Sequence, residues 1–132
     1  MKKRVLLVED DLSTIDVLEK ALQHLGYEVR VATNGLEAVK MAVSELPDLV
    51  VMDIMLPELD GFTATRRLRE NPSTRDVPIL AATAKAMPGD KEKCLAAGCD
   101  GYIAKPFSHR ELEVAIAGVL KGRPNKRHTN NE

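Results

Sequence analysis

The amino-acid sequence predicts one α/β domain with a doubly wound, five-stranded parallel sheet and five helices. Short apolar runs alternate with helical patterns five times along the chain, which is typical of strands joined by crossover helices. The central runs show no polar alternation, as expected for strands that helices cover on both faces. A length of 132 residues suits one domain of ordinary size.

The first half of the chain supplies three strands and two helices. Strands are predicted over residues 5–8, 27–32 and 49–52. The second helix is predicted over residues 36–46, with Asn34 as its cap and Pro47 closing it. The first helix ends at Gly26, and its apolar residues recur at spacings of three and four: Ile15, Leu18, Leu22 and Leu25.

The second half supplies helices over residues 61–70 and 90–97 and strands over 78–82 and 101–104. A last helix begins after Ser108, where Glu111 completes a capping box. Right-handed crossovers between parallel strands predict the flavodoxin-like strand order 2-1-3-4-5. We expect the domain to cover residues 1–121. Residues 122–132 are polar and aperiodic, which predicts a disordered tail.

The composition argues against several functional classes. The net charge of −1 gives no electrostatic reason to expect nucleic acid as a partner. The apolar run before Glu9 has four residues, too short for a signal peptide, and no segment is long enough to span a membrane. We therefore expect a cytoplasmic protein without a membrane partner. Cys94 and Cys99 lack the spacing of a zinc site and are predicted to be reduced thiols.

Chemically active side chains follow most of the predicted strands. Ligands of such sheets bind beyond the carboxyl ends of the strands, near the point where the strand order switches. Each of these residue types alone has an ordinary explanation as a helix start, a turn residue or a solvated charge. Their occurrence at matching strand ends favours a functional site. These residues are Glu9-Asp10-Asp11 after the first strand, Asp53 after the third, Thr83 after the fourth and Lys105 after the fifth.

Charge repulsion limits what this acidic cluster can be. Two carboxylates about 4 Å apart repel by roughly 4 kcal/mol at an effective dielectric constant near 20. Lys105 supplies one compensating charge, and a divalent cation would supply the rest. The candidate ligands are all oxygens, which favours Mg²⁺ over zinc. Asp11 is interpreted as a helix-entry residue rather than a ligand.

These motifs resemble those of response-regulator receiver domains over residues 3–121, including the stand-alone, chemotaxis-type members. The resemblance implies two-component signal transduction by a phosphoacceptor domain rather than a turnover enzyme. It also implies Mg²⁺-dependent self-phosphorylation from small phosphodonors and autodephosphorylation. The matching segments are Val5-Leu6-Leu7-Val8-Glu9-Asp10, Asp48-Leu49-Val50-Val51-Met52-Asp53 with Pro57, Asp60 and Gly61, Thr83-Ala84, Ala97-Gly98, Tyr102 and Lys105-Pro106-Phe107.

The resemblance implies a role for each site residue. Asp53 would accept a phosphoryl group from a phosphohistidine of a sensor histidine kinase or a histidine phosphotransfer protein. Lys105 would pair with the phosphoryl oxygens, and Thr83 would donate its hydroxyl to them. The implied Mg²⁺ ligands are Glu9, acting mostly through water, Asp10, Asp53 and the backbone carbonyl of Met55.

The resemblance also implies an output surface. Tyr102 matches an aromatic switch that turns inward when Thr83 moves. The face formed by helix 4, strand 5 and helix 5 would then bind a downstream protein; it includes Met87, Lys91, Tyr102 and the region near Ser108. The peptide between Lys105 and Pro106 is expected to be cis, a form that is accessible mainly before proline.

Three other interpretations stay open at this point. A flavin-binding module of the same fold needs a phosphate-binding loop after the first strand, where Glu9 and its acidic neighbours would repel phosphate. A phosphatase with an Asp nucleophile usually has a second Asp two residues on, where this chain has Met55. The chain is also consistent with a receiver from a larger protein, such as a hybrid kinase, as the segment AKAMPGD over residues 84–90 suggests.

Overall fold

The computed structural model describes residues 2–84 and 88–130, with side chains described as far as residue 121. Its strands are β1 (Arg4–Val8), β2 (Glu28–Ala32), β3 (Leu49–Asp53), β4 (Ile79–Thr83) and β5 (Gly101–Ala104). Its helices are α1 (Leu12–His24), α2 (Gly35–Glu45), α3 (Gly61–Glu70), α4 (Asp90–Ala97) and α5 (His109–Asn130). The predicted alternation of strands and helices is confirmed, and α3, α4 and β5 have the predicted bounds.

The strands form one parallel sheet in the order β2-β1-β3-β4-β5, which confirms the predicted fold class. The chain runs from β1 outward to β2 and then returns across β1 to β3. The strand order therefore reverses between β1 and β3, and their carboxyl ends lie side by side. This is the position where doubly wound sheets bind their ligands.

Two apolar layers hold the helices against the sheet. Alternate strand residues point to opposite faces, so Leu6 and Val50 pack on one side while Val5 and Leu49 pack on the other. The first layer receives α2, α3 and α4, and the second receives α1 and α5. Strands β1, β3 and β4 are buried almost throughout, whereas the edge strands β2 and β5 are partly exposed.

Side-chain caps fix where the helices begin. Asp11, Asn34 and Asp60 each accept a hydrogen bond from the backbone N–H three residues later, at the starts of α1, α2 and α3. At the start of α5, the Ser108 hydroxyl accepts from the backbone N–H of Glu111, whose carboxylate accepts from the backbone N–H of Ser108. This reciprocal pair is the predicted capping box. The capped helix starts follow the loops at the carboxyl end of the sheet.

Cys94 and Cys99 lie at the turn that ends α4. Gly98 adopts a left-handed conformation with φ 116°, and the backbone N–H of Cys99 returns to the carbonyl of Cys94 at 2.9 Å. Both thiols are free, as predicted from their spacing, and both are buried. Burial raises the pKa of Cys94 to about 12, so its thiol acts as a small apolar core group.

The last helix, α5, is described as far as Asn130. The disordered tail that the sequence predicts over residues 122–132 stays a prediction. The domain boundary at residue 121 stays a prediction. No helix in the described part of the chain combines the length and apolar character that a membrane span requires.

Candidate metal and phosphoacceptor site

The acidic segment after β1 divides into residues with different environments. Glu9 is buried and continues the β1 alignment through a hydrogen bond from its N–H to the carbonyl of Ala32 at 2.9 Å. Asp10 is exposed. Asp11 caps α1 by accepting from the backbone N–H and the hydroxyl of Thr14, at 2.9 and 2.6 Å. These bonds lower the pKa of Asp11, and they place it at the helix entry, as predicted.

Asp53 is the last residue of β3 and lies beside the end of β1. Its side chain is buried, and one carboxylate oxygen, Oδ1, accepts the backbone N–H of Met55 at 3.2 Å. Glu9, Asp10 and Asp53 each offer one carboxylate oxygen, and these three oxygens lie within 4.8 Å of one another. The switch in strand order thus brings together acids that are more than forty positions apart in the sequence.

Lys105, which directly follows the edge strand β5, brings a positive charge to this cluster. Its ammonium lies 2.5 Å from Glu9 Oε1 and 4.0 Å from Asp53 Oδ2. The backbone N–H of Lys105 bonds to the carbonyl of Thr83 at 2.8 Å, which anchors the loop after β5 to the end of β4. The Lys105-Pro106 peptide is cis, as the resemblance implies. One ammonium therefore lies near two of the three clustered carboxylates.

The pKa of Asp53 reflects both its burial and the charges around it. It is raised to about 6, chiefly because burial disfavours the carboxylate and secondly because the negative charge of Glu9 lies nearby. Lys105 and the Met55 N–H act in the opposite direction and do not cancel these effects. With Asp10 included, the cluster has three carboxylates for one cation. A divalent cation would restore the charge balance.

The donor set fits a hard divalent cation. The clustered ligand atoms are carboxylate oxygens, with no thiol or imidazole among the grouped residues in the described part of the chain. Oxygen ligands of this kind suit Mg²⁺, which is usually held by one or two carboxylates and keeps open positions for water or phosphate oxygens. Glu9, Asp10 and Asp53 would hold the ion. The contribution of the Met55 carbonyl stays a prediction.

Thr83 and Tyr102 lie in β4 and β5, the two strands beyond β3 in the sheet. Thr83 is the last residue of β4 and is buried. Tyr102 lies opposite Ala81 in β5, and its ring packs on the core layer beneath α4. Its hydroxyl is buried and has no hydrogen-bond partner among the described residues. Burial and the nearby Asp90 raise the pKa of Tyr102.

The direct pairing of Glu9 with Lys105 is the feature that sequence reasoning missed. The sequence assigns Glu9 to the metal and Lys105 to the phosphoryl group, and it does not predict that they bond to each other. They are 96 residues apart and follow strands that are not neighbours in the sheet. No local pattern carries that information, because the contact depends on where the loop after β5 folds back.

Comparisons with known proteins agree with this geometry. The family model of the response regulator receiver domain matches residues 5–117. The polar-differentiation response regulator DivK of Brucella anthropi is 41% identical over 120 residues, covering 91% of this chain and 98% of DivK. The alkaline phosphatase synthesis transcriptional regulatory protein PhoP of Bacillus subtilis is 41% identical over 121 residues. That match covers 92% of this chain and 50% of PhoP, so the chain spans about half the length of that relative.

A solved structure is similar in both sequence and fold. It is the receiver domain of a sensor histidine kinase from Pseudomonas aeruginosa, crystallised with a magnesium ion coordinated in its active site cleft. The two chains are 41% identical with a TM-score of 0.85, covering 92% of this chain and 99% of the other. The family model, the strand order and these relatives together show that the chain belongs to the response regulator receiver domain family of two-component systems.

Proposed function

We propose that this chain accepts a phosphoryl group on Asp53 in a Mg²⁺-dependent reaction. The observation that carries the proposal is the position of Asp53, buried at the end of β3 with two further carboxylates within 4.8 Å and the Lys105 ammonium at 4.0 Å. The donor would be a phosphohistidine of a sensor histidine kinase or a histidine phosphotransfer protein. A cytoplasmic location and the domain bounds 1–121 belong to the same proposal.

The proposed reaction moves one phosphoryl group between two proteins. A carboxylate oxygen of Asp53 forms a bond to phosphorus while the bond from phosphorus to the donor imidazole nitrogen breaks. The imidazole leaves with the electron pair of that bond, and the product on this chain is an aspartyl phosphate. Phosphoryl transfer depends mainly on positioning and charge neutralisation, and a bound Mg²⁺ would supply part of that neutralisation.

Lys105 and Thr83 would stabilise the phosphorylated state. Lys105 already lies between Glu9 and Asp53, so a small displacement of its flexible side chain brings the ammonium to a phosphoryl oxygen on Asp53. Thr83, at the end of the neighbouring strand, would donate its hydroxyl to another oxygen. Self-phosphorylation from small phosphodonors and autodephosphorylation would use the same groups.

A labelling experiment tests the acceptor. The chain is incubated with acetyl phosphate and Mg²⁺, and the aspartyl phosphate is quantified by mass spectrometry of the intact protein. We expect Asp53→Asn to lose the added phosphoryl mass. Asp16→Asn removes a carboxylate from the exposed face of α1 and should be labelled like the wild type. Undiminished labelling of Asp53→Asn would refute the assignment.

The proposed output is a change in the α4–β5–α5 face. Thr83 and Lys105 follow β4 and β5 directly, and Tyr102 connects this end of the sheet to α4 through its packing. Movement of Thr83 would alter the packing of Tyr102 and so change the surface near Lys91 and Ser108, which would bind a downstream protein. Met87, predicted to lie on the same face, falls outside the described residues.

Backbone amide NMR with and without beryllofluoride tests this output. We expect shift changes in α4, β5 and the start of α5 in addition to the loops around Asp53. Changes confined to those loops, Thr83 and Lys105 would refute the switch and leave phosphoryl acceptance intact. The same titration on Asp53→Asn serves as the control and should show no response.

A further inference from the structure

The first turn of α2 packs against the loop that follows Asp53. Gly35 is the first residue of α2 and is buried. A Cβ atom added there would lie 1.9 Å from the carbonyl oxygen of Leu59 and 2.7 Å from its carbonyl carbon. Leu59 belongs to the β3–α3 loop, residues 54–60, which joins the phosphoacceptor strand to the next helix. Only glycine permits this approach of the two backbones.

The α2 side of this contact is held in place by its cap. Asn34 accepts a hydrogen bond from the backbone N–H of Glu37 at 2.7 Å. The carboxylate of Glu37 accepts one from the backbone N–H of Thr33, also at 2.7 Å. These two bonds join the first turn of α2 to the residues before it in both directions, as in a capping box. A side chain on Gly35 cannot be accommodated by rotating that turn away without breaking them.

The loop side is held as well. The N–H of Leu59 bonds to the carbonyl of Pro57 at 2.7 Å, and its side chain packs on the core layer beneath α2. The next residue, Asp60, caps α3. The two closest obstructing atoms are backbone atoms, so the two segments must separate by about 1 Å before the closest contact reaches 3.0 Å.

The loop connects this contact to the acidic cluster. At its start, the N–H of Met55 bonds to the Asp53 carboxylate, and the carbonyl of Ile54 accepts bonds from the N–H groups of Leu56 and Gly61. A displaced Leu59 therefore changes the frame that orients Asp53 and Met55. We propose that Gly35 is a positioning residue, seating the β3–α3 loop so that the site can bind its cation; this inference rests on the proposed function.

The experiment compares two glycine substitutions. Gly35→Ala introduces the obstructed Cβ, whereas Gly118→Ala, on an exposed face of α5, places the same Cβ where no atom lies within 4 Å. Mg²⁺ affinity is measured by amide NMR titration of the isolated chain, and stability is measured separately by urea unfolding in EDTA. Loss of stability alone would be a packing effect, so the dissociation constant is the deciding readout.

We expect Gly35→Ala to raise the Mg²⁺ dissociation constant roughly tenfold, as disturbed supporting residues of metal sites commonly do, and Gly118→Ala to leave it unchanged. A folded Gly35→Ala with the wild-type constant would overturn the proposal. If Gly35→Ala does not fold, Leu59→Ala decides, because it releases the loop from the core while leaving α2 intact. An unchanged constant in Leu59→Ala would then overturn the proposal.

Failure of this inference is distinguishable from failure of the proposed function. Wild-type chain that takes up phosphoryl from acetyl phosphate supports the function, whatever the result for Gly35→Ala. Wild-type chain that neither binds Mg²⁺ nor becomes labelled refutes the function itself, and with it the premise on which the role of Gly35 depends.

Discussion

Two largely buried ion pairs at different places in the sheet show how similar charges serve different purposes. Arg69 and Asp100 pair at 2.8 Å between α3 and the segment before β5. Lys105 and Glu9 pair at 2.5 Å at the carboxyl end of the sheet. The cationic side chains are equally exposed, at 15% each. What differs is the surroundings of each pair.

The Arg69 pair is surrounded by matched hydrogen-bond partners. Its guanidinium donates to the carbonyls of Gly98, Arg75 and Val77 as well as to Asp100. The same Asp100 oxygen accepts the N–H of Ile79 at 2.9 Å. This network ties α3 to the amino-terminal ends of β4 and β5, and it pairs the guanidinium with a carboxylate. Its geometry is that of a stabilising structural element.

The Lys105 pair has an unbalanced neighbourhood. Asp53 and Asp10 add two carboxylates beside Glu9, and the pKa of Asp53 is raised first by its burial and second by the nearby charge of Glu9. Charge repulsion that weakens the folded protein is useful where a cation and a phosphoryl group must bind. The Lys105 pair, at the proposed site, thus combines burial like that of the Arg69 pair with a cluster of three carboxylates.

Breaking the Arg69–Asp100 pair should have the largest effect on the free energy of unfolding. Arg69→Met should lower the free energy of unfolding by about 3–5 kcal/mol, because it removes the guanidinium that pairs with the largely buried Asp100 carboxylate. Urea unfolding monitored by circular dichroism measures the change. Arg67→Met, at an exposed position of the same helix, should stay within about 0.5 kcal/mol of the wild type. A loss below about 1 kcal/mol for Arg69→Met would contradict a structural role for the pair.

Removing a charge from the acidic cluster should change the free energy of unfolding in the opposite direction and stabilise the chain. Asp53→Asn is expected to raise the free energy of unfolding in EDTA at pH 7 by about 2 kcal/mol. The folded-state pKa of Asp53, about 6, exceeds its ordinary value of 3.8, so the folded chain binds this proton more tightly than the unfolded chain does. The stability that protonation contributes is complete below pH 3.8 and is lost as the pH rises through 6.

The pH dependence provides the check on that explanation. The difference between Asp53→Asn and the wild type should shrink as the pH falls from 7 toward 4, which urea unfolding at several pH values would measure. Destabilisation by Asp53→Asn at pH 7 would show that the carboxylate makes favourable contacts that outweigh the repulsion. An advantage that is independent of pH would point to packing instead of charge.

The contrast between the two pairs also marks how far the sequence could be interpreted. The apolar runs 5–8 and 49–52 predict buried parallel strands, because a strand that is buried on both faces has apolar residues at every position. The strand ends at Asp53 and Thr83 predict where polar groups converge, because parallel strands deliver their carboxyl ends to one edge. The fold and the grouping of the acids follow from these local patterns.

Other features depend on loop paths that leave no local pattern. Arg69 is one of several cations in α3, and nothing in its neighbours indicates that it reaches Asp100. The Glu9–Lys105 contact likewise depends on the path after β5. The close approach of Gly35 to Leu59 is invisible in sequence, because a glycine at a helix start is unremarkable until the opposing backbone is placed.

Adding a divalent cation should relieve the imbalance directly. Mg²⁺ at ten times its dissociation constant should stabilise the wild type by about 1.4 kcal/mol, since it binds the folded chain alone. Asp10→Asn removes one of the clustered oxygens and should lose most of that gain, whereas Asp16→Asn on α1 should retain it. Thermal unfolding with MgCl₂, against NaCl of equal ionic strength, measures the difference. Equal stabilisation of Asp10→Asn and wild type would exclude Asp10 as a ligand.

The smallest expected effect concerns the hydroxyl of Tyr102, a second polar group that is buried at a cost in stability. Its hydroxyl is shielded from solvent without a hydrogen-bond partner in the described part of the chain, and leaving such a group unpaired costs stability. Tyr102→Phe removes that cost and keeps the ring that packs beneath α4. We expect a gain of up to about 1 kcal/mol in the free energy of unfolding.

Tyr27→Phe is the matched control, because Tyr27 is also partly buried and is the chain's other tyrosine. A loss of stability in Tyr102→Phe larger than that in Tyr27→Phe would show that the Tyr102 hydroxyl has a bonded partner, which would place it with the hydrogen-bonded network of Arg69. A gain would place it with Asp53, as a polar group kept at a cost. An outward-facing Tyr102 could hydrogen-bond water, so the same gain predicts that Tyr102→Phe biases the ring toward its buried position. Smaller beryllofluoride-induced amide shifts at residues 101–104 of Tyr102→Phe than of wild type would measure that bias.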